Sequence, residues 1–235
     1  MRKLLLSALL LAGSARAEFL NVAVFGGYST VSFASVNSAL KDALAGTTGS
    51  VTEGSSGWLG GVDLNFSVFP FVKLGLRADY LSVNQMLLKS KITYFSPPLE
   101  YETTFDPSLT SGLVGLTVGT SLPLTGLSIS GSVYGGAGVA AVPSSTKLNG
   151  TKVWATFLGG TGFVAEGDVK IRYELISLVG FALSLDGQGG YRYASLGVLG
   201  DGTNNLAAKI KDKAGNDATF DFSGGFGTLG LTLGF

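Results

Sequence analysis

The chain has 235 residues, with 16 basic and 16 acidic side chains, no cysteine and no histidine. Without cysteine there is neither a disulfide scaffold nor a thiolate site, without histidine the commonest general base is missing, and balanced charge speaks against a nucleic-acid partner. Hydrophobic residues reach 46%, yet beyond the N-terminal stretch no run of about 18 apolar residues exists to form a membrane helix.

The first residues read as a secretory signal. Arg2 and Lys3 give a basic start, Leu4 to Ala12 an apolar core, and Ala15-Arg16-Ala17 an A-x-A cleavage site. Cleavage after Ala17 makes residues 1–17 a removed signal peptide and 18–235 one mature domain. Loss of Arg2, Lys3 and Arg16 from 16 bases leaves 13 against 16 acids, a formal charge of −3. No cysteine is present to carry a lipid, so anchoring falls to the fold itself.

From Phe19 to Ser32 the chain reads as a first strand with Leu20, Val22, Val24 and Tyr28 outward and Phe25 on the other side. Residues 34–56 form a long loop with a short helix from Val36 to Ala45. The second and third strands are the clearest. Trp58, Val62, Leu64, Phe66 and Val68 alternate with Asp63, Asn65 and Ser67, and Val72, Leu74, Leu76, Ala78 and Tyr80 alternate with Lys73, Gly75, Arg77 and Asp79. A three-residue turn centred on Pro70 sets Val68 against Val72, Phe66 against Leu74, and Asp63 against Arg77, so one register matches apolar faces and pairs opposite charges.

Residues 85–110 show no sustained pattern and read as the longest loop. A fourth strand carries Val114, Leu116, Val118 and Leu122 on one side and Gly115, Thr117, Gly119 and Ser121 on the other. Pro123-Leu124-Thr125-Gly126 is a tight turn into a fifth strand with Leu127, Ile129 and Val133 opposite Ser128, Ser130, Ser132 and Tyr134. Residues 143–152 read as a loop, and residues 153–162 as a possible extension of the sixth strand beyond the membrane. That strand is clearest from Phe163 to Leu175, with Glu166, Asp168, Lys170, Arg172 and Glu174 on its even side. A turn at Ile176 to Leu178 leads into a seventh strand with Phe181, Leu183, Leu185, Tyr191 and Tyr193 opposed by Ser184, Asp186, Gln188 and Arg192. Residues 197–218 form the last long loop. The closing strand, Ser223 to Phe235, sets Leu229, Leu231, Leu233 and Phe235 against Thr228, Gly230, Thr232 and Gly234.

The count is eight strands, with short and long connections in strict alternation. The oily side of each suits hydrocarbon and the lean side a crowded interior, the grammar of a transmembrane barrel. In hairpin rhythm and in the closing LGLTLGF, the mature chain resembles the small eight-stranded outer-membrane β-barrels, the OmpA, OmpX and OmpW-like group, without the periplasmic domain of full-length OmpA. The resemblance implies an all-β, antiparallel, up-and-down barrel in the bacterial outer membrane, monomeric, with short periplasmic turns, long extracellular loops and both termini periplasmic. It also implies that Leu229, Leu231, Leu233 and Phe235 are an insertion signal read by the barrel-assembly machinery. Trp58, Tyr80, Tyr191 and Tyr193 fall on the apolar face near the loop ends, where an aromatic girdle belongs.

An eight-stranded barrel is only wide enough to be filled by its own side chains. The inward acids Asp63, Asp79, Glu166, Asp168, Glu174 and Asp186 nearly balance the inward bases Lys73, Arg77, Lys170, Arg172 and Arg192, which predicts a paired network plugging the lumen rather than a charge-selective pore. The turn at Ile176 to Leu178 sets Asp168 against Asp186. A bridging arginine such as Arg172 or Arg192, an offset register, or a cation would each relieve the clash, and the arginine is the favoured account.

The expected function is that of a structural or surface-interaction barrel acting through its loops, with no cofactor and no metal site, an outer-membrane enzyme being the least favoured reading because the chain lacks histidine. The alternative is a narrow conduit for small or hydrophobic molecules, with Phe25, Tyr134 and Phe226 as inward aromatics. Expected partners are outer-membrane lipid and lipopolysaccharide, with an extracellular ligand at the loops; Lys209, Lys211 and Lys213 form a basic cluster that reads first as a solvated loop and second as a contact for a surface polyanion such as lipopolysaccharide. Asp201-Gly202-Thr203-Asn204 has a calcium-loop flavour but lacks the rest of that pattern.

Overall fold

The computed structural model describes residues 18–45, 47–122, 125–196, 215 and 219–235. Ala15 and Ala17, the Pro123-Leu124 half of the second turn, residues 201–204 and the three lysines of the last loop lie outside them. Within them the chain forms β1 (Leu20–Thr30), α1 (Ala34–Ala43), β2 (Thr48–Thr52), β3 (Ser56–Phe69), β4 (Val72–Val83), β5 (Met86–Ile92), β6 (Leu99–Phe105), β7 (Ser108–Ser121), β8 (Leu127–Leu148), β9 (Thr151–Leu178), β10 (Phe181–Leu196) and β11 (Gly224–Gly234). The helix is too short and polar to cross a membrane.

Eight strands close a ring in the order β1, β3, β4, β7, β8, β9, β10, β11, all neighbours antiparallel, and β1 pairs with β11 through Val24 opposite Leu231. Alternation along each strand sorts side chains between two surfaces. Leu231 and Leu233 are on the outer one, at 46% and 36% exposed, whereas Asp63 and Arg77 are inside at 0% and 3%. The first strand faces as its sequence indicates, with Val24 and Tyr28 outward and Phe25 inward. The exterior is a continuous apolar band that includes Val62, Leu74, Leu116, Val133, Ile171 and Leu229. A band of this extent is far beyond the apolar patches of a water-soluble monomer and suits lipid. Trp58, Tyr80, Tyr191 and Tyr193 are exposed near the loop end, joined by Tyr28, whose ring meets Trp58 edge-on at 6.0 Å. At the turn end Phe19, Phe69, Phe71 and Phe235 make a second exposed aromatic belt.

Three registers were legible to different degrees. The β7/β8 hairpin pairs Leu116 with Val133 and Ser121 with Ser128, as expected. The β3/β4 hairpin pairs Asp63 with Arg77 and Phe66 with Leu74, but its turn is tighter than the expected three residues. A bulge at Val68 sets Phe69, not Val68, opposite Val72 and leaves Pro70-Phe71 as the turn. In β9/β10 the turn is not Ile176 to Leu178 but Val179-Gly180, where Gly180 holds φ +80° at no steric cost. Together with a bulge between Leu183 and Ser184, this corrects the register: Asp186 faces Arg172, Arg192 faces Glu166, and Asp168 faces Gly190. The clash between Asp168 and Asp186 does not arise, and an offset register, not a shared arginine, is the reason.

Two expected loops are largely strand. Residues 143–152 belong to a hairpin that carries β8 and β9 past the barrel rim and reverses at Asn149-Gly150, φ +48° and +81°, the geometry of a type I′ turn. Residues 85–110 hold β5, β6 and the start of β7, and β2, β5 and β6 join the protruding part of β8 in a sheet above the rim. The helix begins two residues earlier than its expected start, at Ala34, and turns Val36, Ala39 and Leu40 into the barrel mouth. Asn37 secures it to the first loop by donating to the Gly54 carbonyl at 3.1 Å and accepting from the Gly54 amide at 3.3 Å.

The loop-end half of the lumen is therefore apolar. Leu59, Leu81, Leu109, Leu113, Val142 and Val164 form a buried core that is roofed by Phe33. Phe220 and Phe222 pack edge-on to Phe33, at 5.3 and 5.1 Å between centroids.

Because the chain has no cysteine, the corrected register can be read by cross-linking. Leu185→Cys with Tyr173→Cys, directly paired, is expected to oxidise to a disulfide in the folded barrel, whereas Leu185→Cys with Val169→Cys is not. Mass spectrometry of tryptic fragments reads both.

Candidate functional site: the barrel lumen

The charged layer lies at mid-barrel, and Arg77 is its hub. Its Nε and Nη2 donate to the two Asp63 oxygens at 2.6 and 3.0 Å, while Nη1 reaches across the lumen to Glu166 at 2.8 Å and Asp168 at 3.1 Å. The guanidinium plane is held between two rings, 4.2 Å from the Tyr134 centroid and 5.3 Å from that of Phe25. Small residues make room for this. A Cβ on Gly75 or Gly115 would stand 2.8 or 2.5 Å from the Tyr134 ring.

Arg192, fully buried, donates through Nε to Glu166 at 2.6 Å and through Nη2 to Asp79 at 2.8 Å, and Asp79 also accepts from Ser111 at 2.7 Å. Lys170 joins Asp63 at 3.0 Å. Nearer the turn end Arg172 grips Asp186 with Nε at 2.9 Å and donates to Asn21 at 2.9 Å and Thr232 at 3.2 Å. Of the eleven charged residues expected inside, these nine form one connected set, Lys170 linking its two parts at 4.0 Å from Asp186. Lys73 and Glu174 stand half-buried below it, and Glu174 has no ion-pair partner among the described residues.

The expected full plug is corrected in one respect. The connected ion pairs occupy only the middle of the lumen, with apolar packing above and a cup of about 630 Å³ below, open at the turn end. Lys170 and Arg172 reach it from the charged layer, Lys73, Glu174 and Glu18 stand around it, and the wall from β7 and β8 carries Thr117, Ser121, Ser128 and Ser130. Glu18 escaped the sequence reading because it precedes the first alternating residue. Its carboxylate lies 3.6 Å from Lys73 and 3.5 Å from Arg172, and with it the inward acids number seven against five bases. Asn21, Asn65, Ser111 and Thr232 were also missed as network members, although each sits at an inward position of an alternating strand.

The inward aromatics do not line an apolar conduit. Phe25 and Tyr134 sandwich Arg77, and Phe226 is buried above Gly190, where a Cβ would stand 2.8 Å from its ring. Leu229, Leu231, Leu233 and Phe235 all face outward on β11 and beyond.

On the outward face of the rim sheet a second, exposed set alternates in sign. Lys89 and Lys147 flank Glu102 at 3.2 and 3.3 Å, and Lys91 meets Glu100 at 2.8 Å. Hydrogen bonds from Lys89 and Lys147 hold the Glu102 carboxyl below the usual glutamate range, and Lys91 does the same for Glu100.

No protein-family profile and no curated protein matches this sequence. Among solved structures the chain is similar to Neisserial surface protein A, at 13% identity and TM-score 0.37, over 92% of this chain and 97% of that one. It is similar to Ail, the attachment invasion locus protein of Yersinia pestis, at 12% and 0.33, over 92% and 97%. It is also similar to the outer membrane protease OmpT of Escherichia coli, at 8% and 0.38, over 93% and 96%. These likenesses are remote.

Two outcomes follow from the geometry. Arg77→Leu strands the buried carboxylates of Asp63, Glu166 and Asp168, and is expected to lower stability by about 3–5 kcal/mol, against about 0.5 kcal/mol or less for the exposed Lys91→Ala. Urea titration of heat-modifiable gel mobility measures both. For Glu102, a lowered folded-state pKa means its pairing favours the rim sheet above the unfolded-state value and is lost as pH falls through the folded one. An NMR titration should place it below an ordinary glutamate, and Lys89→Ala should move it up.

Proposed function

We propose that this protein is an integral barrel of the bacterial outer membrane that conducts no solute and works through the sheet and loops above its rim. The single observation that carries this reading is the filled outer half of the lumen, where Leu81, Leu109 and Val164 are fully buried beneath Phe33 and α1. A conduit needs a continuous polar or open path, and apolar packing at interior density leaves none. The apolar exterior between two aromatic belts supports a lipid environment. The ring closure of β1 on β11 supports a monomer, since no barrel strand is left with an open edge.

On this reading residues 1–17 are removed after Ala17, the turn end faces the periplasm with both termini, and the closing strand is presented to the assembly machinery. The partner-facing part is the rim sheet of β2, β5, β6 and the ends of β8 and β9, a rigid platform of the kind on which binding loops are carried. Lipopolysaccharide is its expected neighbour, and its lysines 89, 91, 147 and 152 outnumber the acids on that face. The ion pairs engage the mid-barrel carboxylates with arginine and lysine, which argues for a structural rather than a catalytic role.

In planar bilayers the purified protein is expected to show no stepwise conductance. Residues 86–105 are expected to be labelled on intact cells through a single introduced cysteine at Lys91. Steady ion conductance, or labelling only after the outer membrane is opened, would overturn the reading.

A further inference from the structure

We propose that the cup at the turn end is a binding site for a small hydroxylated anion, a sugar acid or a sugar phosphate. This stands apart from the role of the rim sheet, because the apolar layer separates the two ends.

The cup's size, about 630 Å³, falls in the range of small-molecule sites, roughly 300–1,000 Å³. Its lining combines two kinds of chemistry. On the β7/β8 side the inward positions are Thr117, Gly119, Ser121, Ser128 and Ser130, short groups that leave space and offer hydroxyls. Flanking them on the neighbouring strands are three cations, Lys73 beside Thr117 on β4, and Lys170 beside Ser130 and Arg172 beside Ser128 on β9. A filled eight-stranded lumen needs large side chains on every strand, and here one side withholds them.

The cations are not equally engaged. Lys170 is held by Asp63 at 3.0 Å, and Arg172 is oriented by Asp186, Asn21 and Thr232. Lys73 has no ion-pair partner among the described residues except Glu18, and it and Arg172 approach the same Glu18 oxygen, Oε2, at 3.6 and 3.5 Å. Both distances exceed the roughly 2.7–2.9 Å of a charge-assisted hydrogen bond. Glu18 therefore supplies the charge of an anion between two cations without making its hydrogen bonds. A carboxylate or phosphate entering from the open end would displace Glu18 and take close contacts from both, while the Ser and Thr side reads hydroxyls on the rest of the molecule. Glu174 at the mouth disfavours a second negative charge at the far end of the ligand.

The test uses the full protein extracted in detergent, titrated calorimetrically with gluconate and glucose 6-phosphate, and with sorbitol and acetate as probes lacking the charge or the hydroxyls. At least one of the two hydroxylated anions is expected to bind about tenfold more tightly than both controls, and the one that does identifies the acid group. Lys73→Gln should weaken it about tenfold and Glu18→Ser should tighten it about threefold, since the internal competitor is gone. Ser128→Trp, which fills the cup and removes no charge, should abolish it. Heat-modifiable mobility verifies that each variant folds. Equal binding of gluconate, glucose 6-phosphate and acetate, or a Glu18→Ser protein that binds no more tightly than the parent, overturns the proposal.

Discussion

The guanidinium of Arg77 is the group on which the interior depends. A cation at mid-lumen has no water to lean on and must be met by carboxylates from strands that are distant in sequence. It takes Asp63 from its own hairpin and Glu166 and Asp168 from β9 across the barrel, so its pairing is complete only when the ring is closed. Arg192 repeats the arrangement between β9, β10 and β4, and Arg172 between β9, β10, β1 and β11. With Ser111 on β7 and Tyr134 on β8, every strand of the ring touches the network. Such pairs add little stability over apolar packing of equal volume, but they are intolerant of misassembly: a one-residue slip would turn these charges to lipid, at about 2–4 kcal/mol for each basic residue near mid-membrane.

The two flanks of this layer explain why one fold has three interiors. Above it the loops fold back, and α1, Phe33, Phe220 and Phe222 replace solvent with apolar contact. Below it the strands end in short turns that cannot fold back, so side chains alone must fill the space. On β7 and β8 those are Gly, Ser and Thr. The charges thus sit between a dry side and a wet side, with the fully buried Arg192 and Asp79 toward the dry one and the partly exposed Arg172 and Lys73 toward the wet one.

What the sequence made legible was whatever depends on period two. The facing of β3, β4, β7, β8 and β11, and the partnership of Asp63 with Arg77, follow from alternation and one turn. The apolar roof was not legible, because Phe33, Phe220 and Phe222 come from segments without periodicity, and nothing local says that they meet. The rim sheet was half legible. Asn149-Gly150 is a strong hairpin signal, and Lys89 and Lys91 have complementary Glu102 and Glu100, but the few apolar residues of these strands, Val51, Met86, Leu88 and Phe105, are too sparse to give a sustained alternation that marks register. Glu18 was hidden for a simpler reason: it lies outside any strand and reaches the lumen by side-chain length.

The third hairpin separates two kinds of register information. Moving its turn from Ile176–Leu178 to Val179-Gly180 shifts the register by five next to the turn, and the bulge between Leu183 and Ser184 takes one residue back, so the partner of Asp186 changes from Asp168 to Arg172, four residues along. A shift of four keeps every side chain on its face, so hydrophobic alternation is blind to it. Only the identity of cross-strand partners distinguishes the two. In the unshifted alignment two carboxylates meet and Arg192 faces Gly162, whereas in the observed one Asp186 has Arg172 and Arg192 has Glu166. The repulsion visible in the sequence was therefore information about the turn, and Gly180, able to hold a positive φ, marked where the chain reverses. In a barrel whose lipid face admits any even slip, the lumen charges are what select one.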